Sequence, residues 1–275
     1  MKRQKLLFHD ISGRVLQRTP VFGIEMRVAC NFCARNCSLE ENQYGFCGIR
    51  KNISGKIVTL YYGELVSLAL DPVEKKPLYH FLPSTETLSL AMFGCNFRCK
   101  FCQNFTISQI EYLEQAKKHH TFYAPSQIAE IMKAHNLKSV SYTYSEPTVW
   151  QDYMLDTAEE VRKAGGRNIM VTNGYFSDNT FDSLTEKVDA FNIDLKGGSD
   201  FYRQHVCAEF DIVLKNIKKV AAKKDKILEV TTLVIEELHT EDEIMAIGRN
   251  LEEAGVEVWH LSRFFPCYKM KHLNQ

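Results

Sequence analysis

The stretch FGCNFRCKFCQN, residues 93–104, carries three cysteines in a C-x3-C-x2-C run. Cys95, Cys99 and Cys102 lie close enough in sequence for one loop to wrap a compact iron–sulfur cluster. Such clusters are normally held by four thiolates, so three cysteines leave one iron of a [4Fe–4S] cluster without a protein ligand. Phe101 precedes the last cysteine, and an apolar run at residues 88–93 leads into the loop. The stretch predicts a cluster with one open iron, with a zinc or structural cysteine site as the alternative.

The composition is that of a globular protein with a sizeable core. The 275 residues are 45% hydrophobic and 25% charged, and Lys+Arg and Asp+Glu balance at 34 each. This balance gives no electrostatic reason to expect nucleic acid or an anionic membrane as a partner. The N-terminus has no sustained apolar segment, and the nine cysteines point to a reducing compartment in which thiols bind metals. We therefore expect a cytoplasmic metalloprotein.

Short apolar runs alternate with longer amphipathic ones from residue 87 onward, which is typical of βα units with a parallel sheet. Gly165 and Gly255 fit the C-caps of two predicted helices, and Thr240 with Glu243 fits a capping box. The six strand candidates are residues 88–93, 139–144, 168–172, 190–194, 227–235 and 256–262, and the helix candidates are 125–136, 148–165, 179–187, 212–224 and 240–255.

The region up to residue 82 has a different pattern, with a cysteine group followed by short strand-like runs separated by glycine. A proline-punctuated stretch, residues 71–83, is the most plausible connector. We therefore predict two domains: a small Cys-rich, metal-binding β appendage at residues 1–82 and a larger core domain at residues 83–275.

Polar segments follow three of the strand candidates, where parallel α/β folds place their sites. Glu146 follows the second strand; a carboxylate suits an ammonium group, although Pro147 also fits a simple helix start. Asn173 follows the third and can donate to and accept from ribose hydroxyls, although an Asn-Gly pair is often only a turn. Asp194 and Lys196 follow the fourth, with a surface ion pair as the alternative.

A second cysteine group has the pattern C-x2-C-x3-C-x9-C and consists of Cys30, Cys33, Cys37 and Cys47. Four thiolates can complete a tetrahedral zinc site or hold a [4Fe–4S] cluster, and the spacing does not separate the two. Buried free thiols are the remaining alternative. Because a complete four-thiolate shell leaves no open position, we expect a role in structure, electron relay or docking.

Together, these segments resemble the radical SAM superfamily, in which S-adenosylmethionine (SAM) occupies the open iron. Longer strings are similar to the radical SAM protein of the AmmeMemoRadiSam system, which is related to the pyruvate formate-lyase activating enzymes. This resemblance runs nearly end to end, apart from a C-terminal segment, and covers residues 30–37, 45–50, 68–83, 93–109, 142–150, 171–175, 192–197 and 261–270.

The resemblance implies a partial (β/α)6 TIM-like barrel and a radical SAM enzyme. It implies that the [4Fe–4S] cluster on the three cysteines, reduced by an external electron donor, cleaves SAM to a 5′-deoxyadenosyl radical for hydrogen abstraction. No residue is an obvious general acid or base, which suits that chemistry. One departure from the family pattern is that Tyr144-Ser145 replaces Gly-Gly before Glu146. The implied cofactor contacts are Phe101, Glu146, Asn173, Asp194 and Lys196.

Three functions are compatible with the sequence. The Asp-Leu-Lys segment, residues 194–196, matches the glycyl-radical-enzyme activases and favours an activase-like enzyme that acts on a protein. The second is radical modification of a small molecule or peptide, alongside the dioxygenase-like partner that the family implies. The third is a non-catalytic iron–sulfur or zinc interaction module.

Overall fold

The computed structural model describes residues 27–275. Its strands in chain order are β1 (Val28–Cys30), β2 (Cys37–Leu39), β3 (Arg50–Ile53), β4 (Lys56–Thr59), β5 (Glu64–Leu65), β6 (Ser67–Pro72), β7 (Glu86–Ala91), β8 (Thr121–Phe122), β9 (Ser139–Tyr142), β10 (Arg167–Thr172), β11 (Ala190–Asp194), β12 (Ile227–Val234) and β13 (Trp259–Arg263). The α-helices are α1 (Phe105–Ser108), α2 (Leu113–Ala116), α3 (Pro125–Ala134), α4 (Gln151–Lys163), α5 (Asp178–Lys187), α6 (Ser199–Phe201), α7 (Phe210–Ala221) and α8 (Glu241–Glu253).

A seven-stranded sheet dominates the fold, with the strand order β13-β12-β11-β10-β9-β7-β6. The six strands from β7 to β13 in this sheet run parallel, and only β6 is antiparallel to its neighbour β7. These six parallel strands correspond to the six strand candidates, and each of the five connections between them contains a helix. The predicted fold class, a mixed α/β fold with a parallel sheet, is confirmed.

The central strands are buried along nearly their whole length. All four residues of β9 and five of the six residues of β7 are buried. Continuous burial is expected in a parallel sheet, because covering elements exclude water from its faces. The buried hydroxyls of Thr87 on β7 and Ser141 on β9 pair with each other, with 2.8 Å between Thr87 Oγ1 and Ser141 Oγ.

Local signals set the ends of the helices. Gly165 and Gly255 follow α4 and α8 with φ of 82° and 79°, so both predicted C-cap glycines are confirmed. At the start of α8 the Thr240 hydroxyl accepts a hydrogen bond from the backbone N–H of Glu243 at 3.2 Å, which is one of the two bonds of the predicted capping box. Helix α4 begins three residues later than expected, because Pro147–Trp150 forms a 3-10 turn.

The described part of the Cys-rich region is rich in β-structure, as expected. It contains the antiparallel pairs β1–β2 and β3–β4, whereas β6 joins the main sheet through β7. The seven-stranded sheet therefore takes strands from both sides of residue 82. The division into domains 1–82 and 83–275 stays a prediction, and residues 1–26 lie outside the described range.

Within residues 27–275 no helix is both long and apolar enough to cross a membrane. The longest helices of this range, α4 and α8, each have 13 residues. A membrane-spanning helix needs about 20 apolar residues.

Candidate active site

The three cysteines of the C-x3-C-x2-C run lie in the loop of residues 92–104, here called the cluster loop, between β7 and α1. Cys99 is buried, while Cys95 and Cys102 are half-buried. The backbone N–H of Phe97 donates to Cys95 Sγ at 3.3 Å. The Arg98 guanidinium donates to the carbonyls of Cys95 at 3.1 Å and Phe97 at 2.9 Å. These bonds hold the loop in a tight turn that leaves its thiols facing a cavity.

One cavity of about 660 Å³ collects the predicted site residues at the carboxyl ends of the parallel strands. Its volume is within the usual range for a site that takes a cofactor-sized ligand. All eight residues predicted for the first cluster and for SAM line it: Cys95, Cys99, Phe101, Cys102, Glu146, Asn173, Asp194 and Lys196. The structure therefore brings together residues that are up to 101 positions apart, and their individual roles stay predictions.

The thiols of the cluster loop lie in a poorly hydrated environment. Burial raises the pKa of Cys95 well above its usual value, and burial raises the pKa of Cys99 to about 12. Iron binds the thiolate form, so a metal ion must supply the charge that stabilises these ligands. In the described part of the chain no three His, Cys, Asp or Glu side chains already stand in metal-ligating positions.

Glu146 lies just after β9, and its carboxylate accepts hydrogen bonds from residues at the end of β10. Its Oε1 accepts from the Thr148 backbone N–H at 3.0 Å, the Thr148 hydroxyl at 2.5 Å and the Thr172 hydroxyl at 2.7 Å. Its Oε2 accepts only from the Asn173 backbone N–H, at 2.8 Å. Burial raises the pKa of Glu146, and these hydrogen bonds oppose that rise. Each carboxylate oxygen accepts about two hydrogen bonds, so Oε2 retains room for one more donor.

Asn173 contacts the cluster loop directly. Its Nδ2 donates to Asn96 Oδ1 at 2.7 Å and lies 3.7 Å from Cys95 Sγ. Its Oδ1 accepts from the Tyr175 backbone N–H at 3.0 Å. The side chain therefore holds the loop to the end of β10, a role that the sequence did not predict. An Asn amide has two donors and two acceptor positions, so hydrogen-bonding capacity remains for a ligand.

Asp194 and Lys196 form an ion pair at the end of β11, with 2.8 Å between Lys196 Nζ and Asp194 Oδ2. Lys196 Nζ also lies 6.0 Å from the centre of the Phe101 ring. Burial lowers the pKa of Lys196, but the Asp194 carboxylate and the Cys99 thiol outweigh it and hold the pKa above its usual value. Lys196 therefore stays protonated beside the cluster loop, within an ion pair whose net charge is zero.

Tyr144 occupies a backbone position that favours glycine, with φ of 67°. Its hydroxyl donates to the buried Asp71 carboxylate and lies 3.2 Å from Lys76 Nζ. Asp71 also accepts from Lys76 Nζ at 2.8 Å and from Lys75 Nζ at 2.7 Å. The family pattern has Gly-Gly at this point. In this chain Tyr144 takes a left-handed backbone conformation, and its hydroxyl connects the end of β9 to the proline-rich stretch of residues 71–83.

Sequence reasoning missed a polar group that lines the same cavity. Gln109 is 1% exposed, and its Oε1 has no hydrogen-bond partner. The neighbouring Ser108 hydroxyl accepts from Gln109 Nε2 at 3.4 Å and lies 3.2 Å from Cys102 Sγ. A buried acceptor without a partner is costly unless a ligand supplies a donor. This orphaned carbonyl, the three thiols and the free position on Glu146 Oε2 fit a cluster with a bound amine-bearing ligand.

The four cysteines of the second group lie elsewhere. Cys30, Cys33, Cys37 and Cys47 line a separate, much smaller cavity that contains none of the residues predicted for SAM. The two cysteine groups therefore line two distinct cavities.

The family model of the radical SAM superfamily matches residues 90–254, which is more than half of the chain. The chain therefore belongs to the radical SAM superfamily. Membership implies an enzyme that uses a [4Fe–4S] cluster and SAM.

Two proteins of Methanocaldococcus jannaschii are among the relatives in sequence. An uncharacterized protein is 42% identical over 247 residues, which cover 89% of this chain and 72% of the relative. A protein named as a glycyl-radical enzyme activating enzyme is 26% identical over 174 residues, which cover 61% of this chain and 63% of the relative.

Solved structures of Streptococcus suis SuiB share the fold. SuiB bound to S-adenosylmethionine aligns with a TM-score of 0.53 at 13% identity, covering 69% of this chain and 44% of SuiB. SuiB bound to its precursor peptide SuiA aligns with a TM-score of 0.54 at 14% identity, covering 74% of this chain and 44% of SuiB. The chain thus spans less than half the length of SuiB, and identity this low supports the fold alone.

Proposed function

We propose that Cys95, Cys99 and Cys102 hold a [4Fe–4S] cluster at which SAM is reductively cleaved, and that the chain acts on a protein partner as an activase does. One observation carries this proposal: the three cysteines and the polar groups at three strand ends line a single cavity of about 660 Å³. A cysteine cluster without SAM would not need a carboxylate suited to an ammonium group and an amide suited to ribose hydroxyls in the same cavity.

The cluster and SAM, when bound, supply the one-electron cleavage that generates a hydrogen-abstracting radical. The chain's own residues bind the cluster and SAM and orient them. Glu146 Oε2 offers an acceptor for the methionine ammonium, and Gln109 Oε1 offers a second one. Lys196, kept cationic by Asp194, supplies positive charge next to a ligand set that is negatively charged once metal binds.

Aromatic side chains exclude water from the floor of the site. Phe97 is fully buried, and Phe101 is 4% exposed and packs on Phe201 with 5.6 Å between ring centres. A radical that abstracts hydrogen must be shielded from competing reactions, and closed apolar walls provide that protection.

Two observations support a protein substrate. The relative named as a glycyl-radical enzyme activating enzyme is 26% identical over 61% of this chain. In addition, a groove of about 590 Å³ adjoins the cavity, shares Ser262 and Arg263 with it and carries the exposed apolar side chains Leu261 and Met245. An apolar groove beside the cavity can take the apolar side chains of a polypeptide.

The partners follow from the same proposal. An external donor delivers the electron, since the proposed cycle consumes one electron for each SAM. The resemblance to the AmmeMemoRadiSam system adds a dioxygenase-like protein as a partner. Radical modification of a small molecule or peptide is the second candidate, because a cavity of about 660 Å³ can admit a small substrate in addition to a cofactor.

Electron paramagnetic resonance tests SAM binding to the cluster. The anaerobically reconstituted and reduced protein should show a [4Fe–4S] signal that changes when SAM is added. The Cys95→Ala/Cys99→Ala/Cys102→Ala variant should lack the signal, and the Cys207→Ser variant should retain it, because Cys207 is exposed and does not line the cavity. A change of the signal on addition of SAM that survives in the triple variant would contradict the proposal.

Label transfer tests the substrate. A deuterated partner protein that donates hydrogen should yield deuterated 5′-deoxyadenosine, whereas an unlabelled partner should not. Label that arrives only from small molecules would favour the second candidate. A cluster that forms and never cleaves SAM, with any partner, would favour the non-catalytic module.

A further inference from the structure

Four cysteines surround one small cavity in the segment of residues 28–59, here called the N-terminal cysteine segment. Cys30, Cys33, Cys37 and Cys47 all line it, and three of them are less than a tenth exposed. The cavity measures about 10 Å³, which is about the space of a single water-sized sphere. Four cysteines around one such small space suit a single bound ion.

The strand pairing places two of these thiols together. Strand β1 is antiparallel to β2, and Cys30 lies directly opposite Cys37. Directly opposite residues project from the same face of an antiparallel pair, with Cβ atoms about 5 Å apart. Two thiolates on a tetrahedral zinc ion, at Zn–S of about 2.3 Å, lie about 3.8 Å apart. The pair can therefore share one zinc ion through the choice of their χ1 angles.

The size of the cavity separates zinc from an iron–sulfur cluster. A [4Fe–4S] core contains four irons and four sulfides, which must all lie between the thiolates. The cluster loop of this chain faces a cavity of about 660 Å³, whereas the N-terminal cysteines enclose about 10 Å³. With the side chains as placed, the smaller space admits a single ion and not a four-iron core.

Positive charge lies where a tetrathiolate site needs it. One divalent ion with four thiolates carries a net charge of −2, and the guanidinium groups of Arg35 and Arg50 both line the cavity. Arg50 is 1% exposed, and its Cζ lies 3.3 Å from the centre of the Phe32 ring, within the C-x2-C turn. Arg50 already pairs with Asp152 at 3.1 Å, and a negatively charged metal tetrathiolate would be a further favourable neighbour for both arginines.

We propose that Cys30, Cys33, Cys37 and Cys47 bind a single structural zinc ion. As placed, no three of the described His, Cys, Asp and Glu side chains stand in ligating positions, and this holds equally for the cluster loop. A change of χ1 rotamer moves a cysteine Sγ by about 3 Å, so side-chain rotation alone completes the site. Zinc has no redox chemistry in proteins, and the site therefore serves as a structural staple and not as an electron relay.

The zinc site supports the cluster loop. The Arg35 Nε donates to the Asn96 carbonyl at 3.0 Å, and the Arg98 guanidinium donates to the Phe46 carbonyl. The Cys47 carbonyl packs against Gly94, where an added Cβ would lie 2.8 Å from that oxygen. Zinc thus fixes the segment on which the cluster loop rests, and this part of the inference depends on the proposed function.

Metal content tests the site. Zinc and iron are measured in the reconstituted full-length protein and in the Cys95→Ala/Cys99→Ala/Cys102→Ala variant. We expect about one zinc per chain in both, with iron lost from the triple variant. Cys33→Ser/Cys47→Ser should lose the zinc and Cys207→Ser should keep it. About four irons in the triple variant, one iron there in place of zinc, or a folded triple variant without metal would overturn the proposal.

Cobalt provides a readout that does not depend on folding of the Cys33/Cys47 variant. The triple variant, depleted of zinc and loaded with Co²⁺, should show the intense visible bands of tetrahedral cobalt thiolate. Absence of those bands would overturn the proposal. Neither experiment uses SAM cleavage, so a failure of the zinc site and a failure of the proposed function are distinguishable.

Discussion

The backbone N–H of Asn173 donates to Glu146 Oε2 at 2.8 Å, which ties together the ends of β9 and β10. Asn173 in turn reaches the cluster loop through Asn96, at 2.7 Å. A continuous chain of hydrogen bonds therefore connects the carboxylate expected to meet SAM with the loop expected to hold the cluster. Changes at Glu146 should consequently affect both ligand binding and stability.

Replacing Glu146 with Gln should weaken SAM binding about 10- to 100-fold, since a hydrogen bond to a charged group contributes about 1.5–3 kcal/mol. The amide keeps one acceptor oxygen for Thr148 and Thr172, so the protein should remain folded. Equilibrium dialysis with the reconstituted protein measures the affinity, and Glu252→Gln on the exposed face of α8 is the matched control. Unchanged affinity in Glu146→Gln would remove Glu146 from the proposed SAM contacts.

Asp71 should make stability dependent on pH at the acid end. Burial raises the pKa of Asp71, but hydrogen bonds from Lys75, Lys76 and Tyr144 outweigh it and hold the pKa below its usual 3.8. Because the folded-state pKa lies below the unfolded one, the carboxylate stabilises the fold at pH values above 3.8. That stabilisation is lost as the pH falls through the folded pKa.

The variant Asp71→Asn should lower the free energy of unfolding by about 3–5 kcal/mol at pH 7, since it leaves the buried Lys76 cation unpaired. The difference from the wild type should narrow as the pH falls below 3.8. Urea unfolding at a series of pH values measures this, with the exposed Asp182→Asn as control. If the difference in the free energy of unfolding between the wild type and Asp71→Asn stays constant from pH 7 to acid pH, Asp71 is not the group that makes stability depend on pH.

The left-handed backbone at Tyr144 predicts an order of stability between two variants. Tyr144→Gly and Tyr144→Ala both remove the hydroxyl that meets Asp71, but only alanine keeps a Cβ at φ of 67°. The glycine variant should therefore be more stable than the alanine variant by about 1 kcal/mol. Chemical denaturation of both proteins gives the comparison, and an alanine variant as stable as the glycine variant would contradict the strain at this position.

Gly94 should tolerate no side chain where the N-terminal cysteine segment meets the cluster loop. Both Gly94→Ala and Gly55→Ala place a Cβ at positive φ, but only at Gly94 does it meet another atom, the Cys47 carbonyl oxygen at 2.8 Å. Gly94→Ala should cost about 1–3 kcal/mol more than Gly55→Ala, because of overpacking. Its iron content after reconstitution should also fall. Equal stability of the two variants would contradict the close contact between loop and segment.

The sequence sufficed to predict the parts of the site that depend on strand order. Glu146, Asn173 and Asp194 each follow an apolar run, and parallel strands end at one edge of a sheet, so their convergence could be foreseen. The cluster loop was predictable for a different reason, because its three cysteines lie close together in sequence.

The contacts that tune the site depend on the folded chain and were not predictable. Tyr144 reaches Asp71 across 73 positions, and the order of residues gives no sign of that contact. Gln109 lies in a stretch with no periodic pattern, so its burial without a partner for Oε1 emerges only from packing. The choice between zinc and iron–sulfur at Cys30 depends on the volume between four side chains, which spacing alone does not determine.

Quantification of 5′-deoxyadenosine tests the central claim most directly. The wild-type protein, reconstituted anaerobically, reduced and supplied with SAM, should form 5′-deoxyadenosine together with methionine. Cys99→Ala should form none, and the exposed Cys207→Ser should match the wild type. Equal product from Cys99→Ala and the wild type, or none from a wild-type protein that carries an intact cluster and its partner proteins, would contradict the assignment of these three cysteines to SAM cleavage.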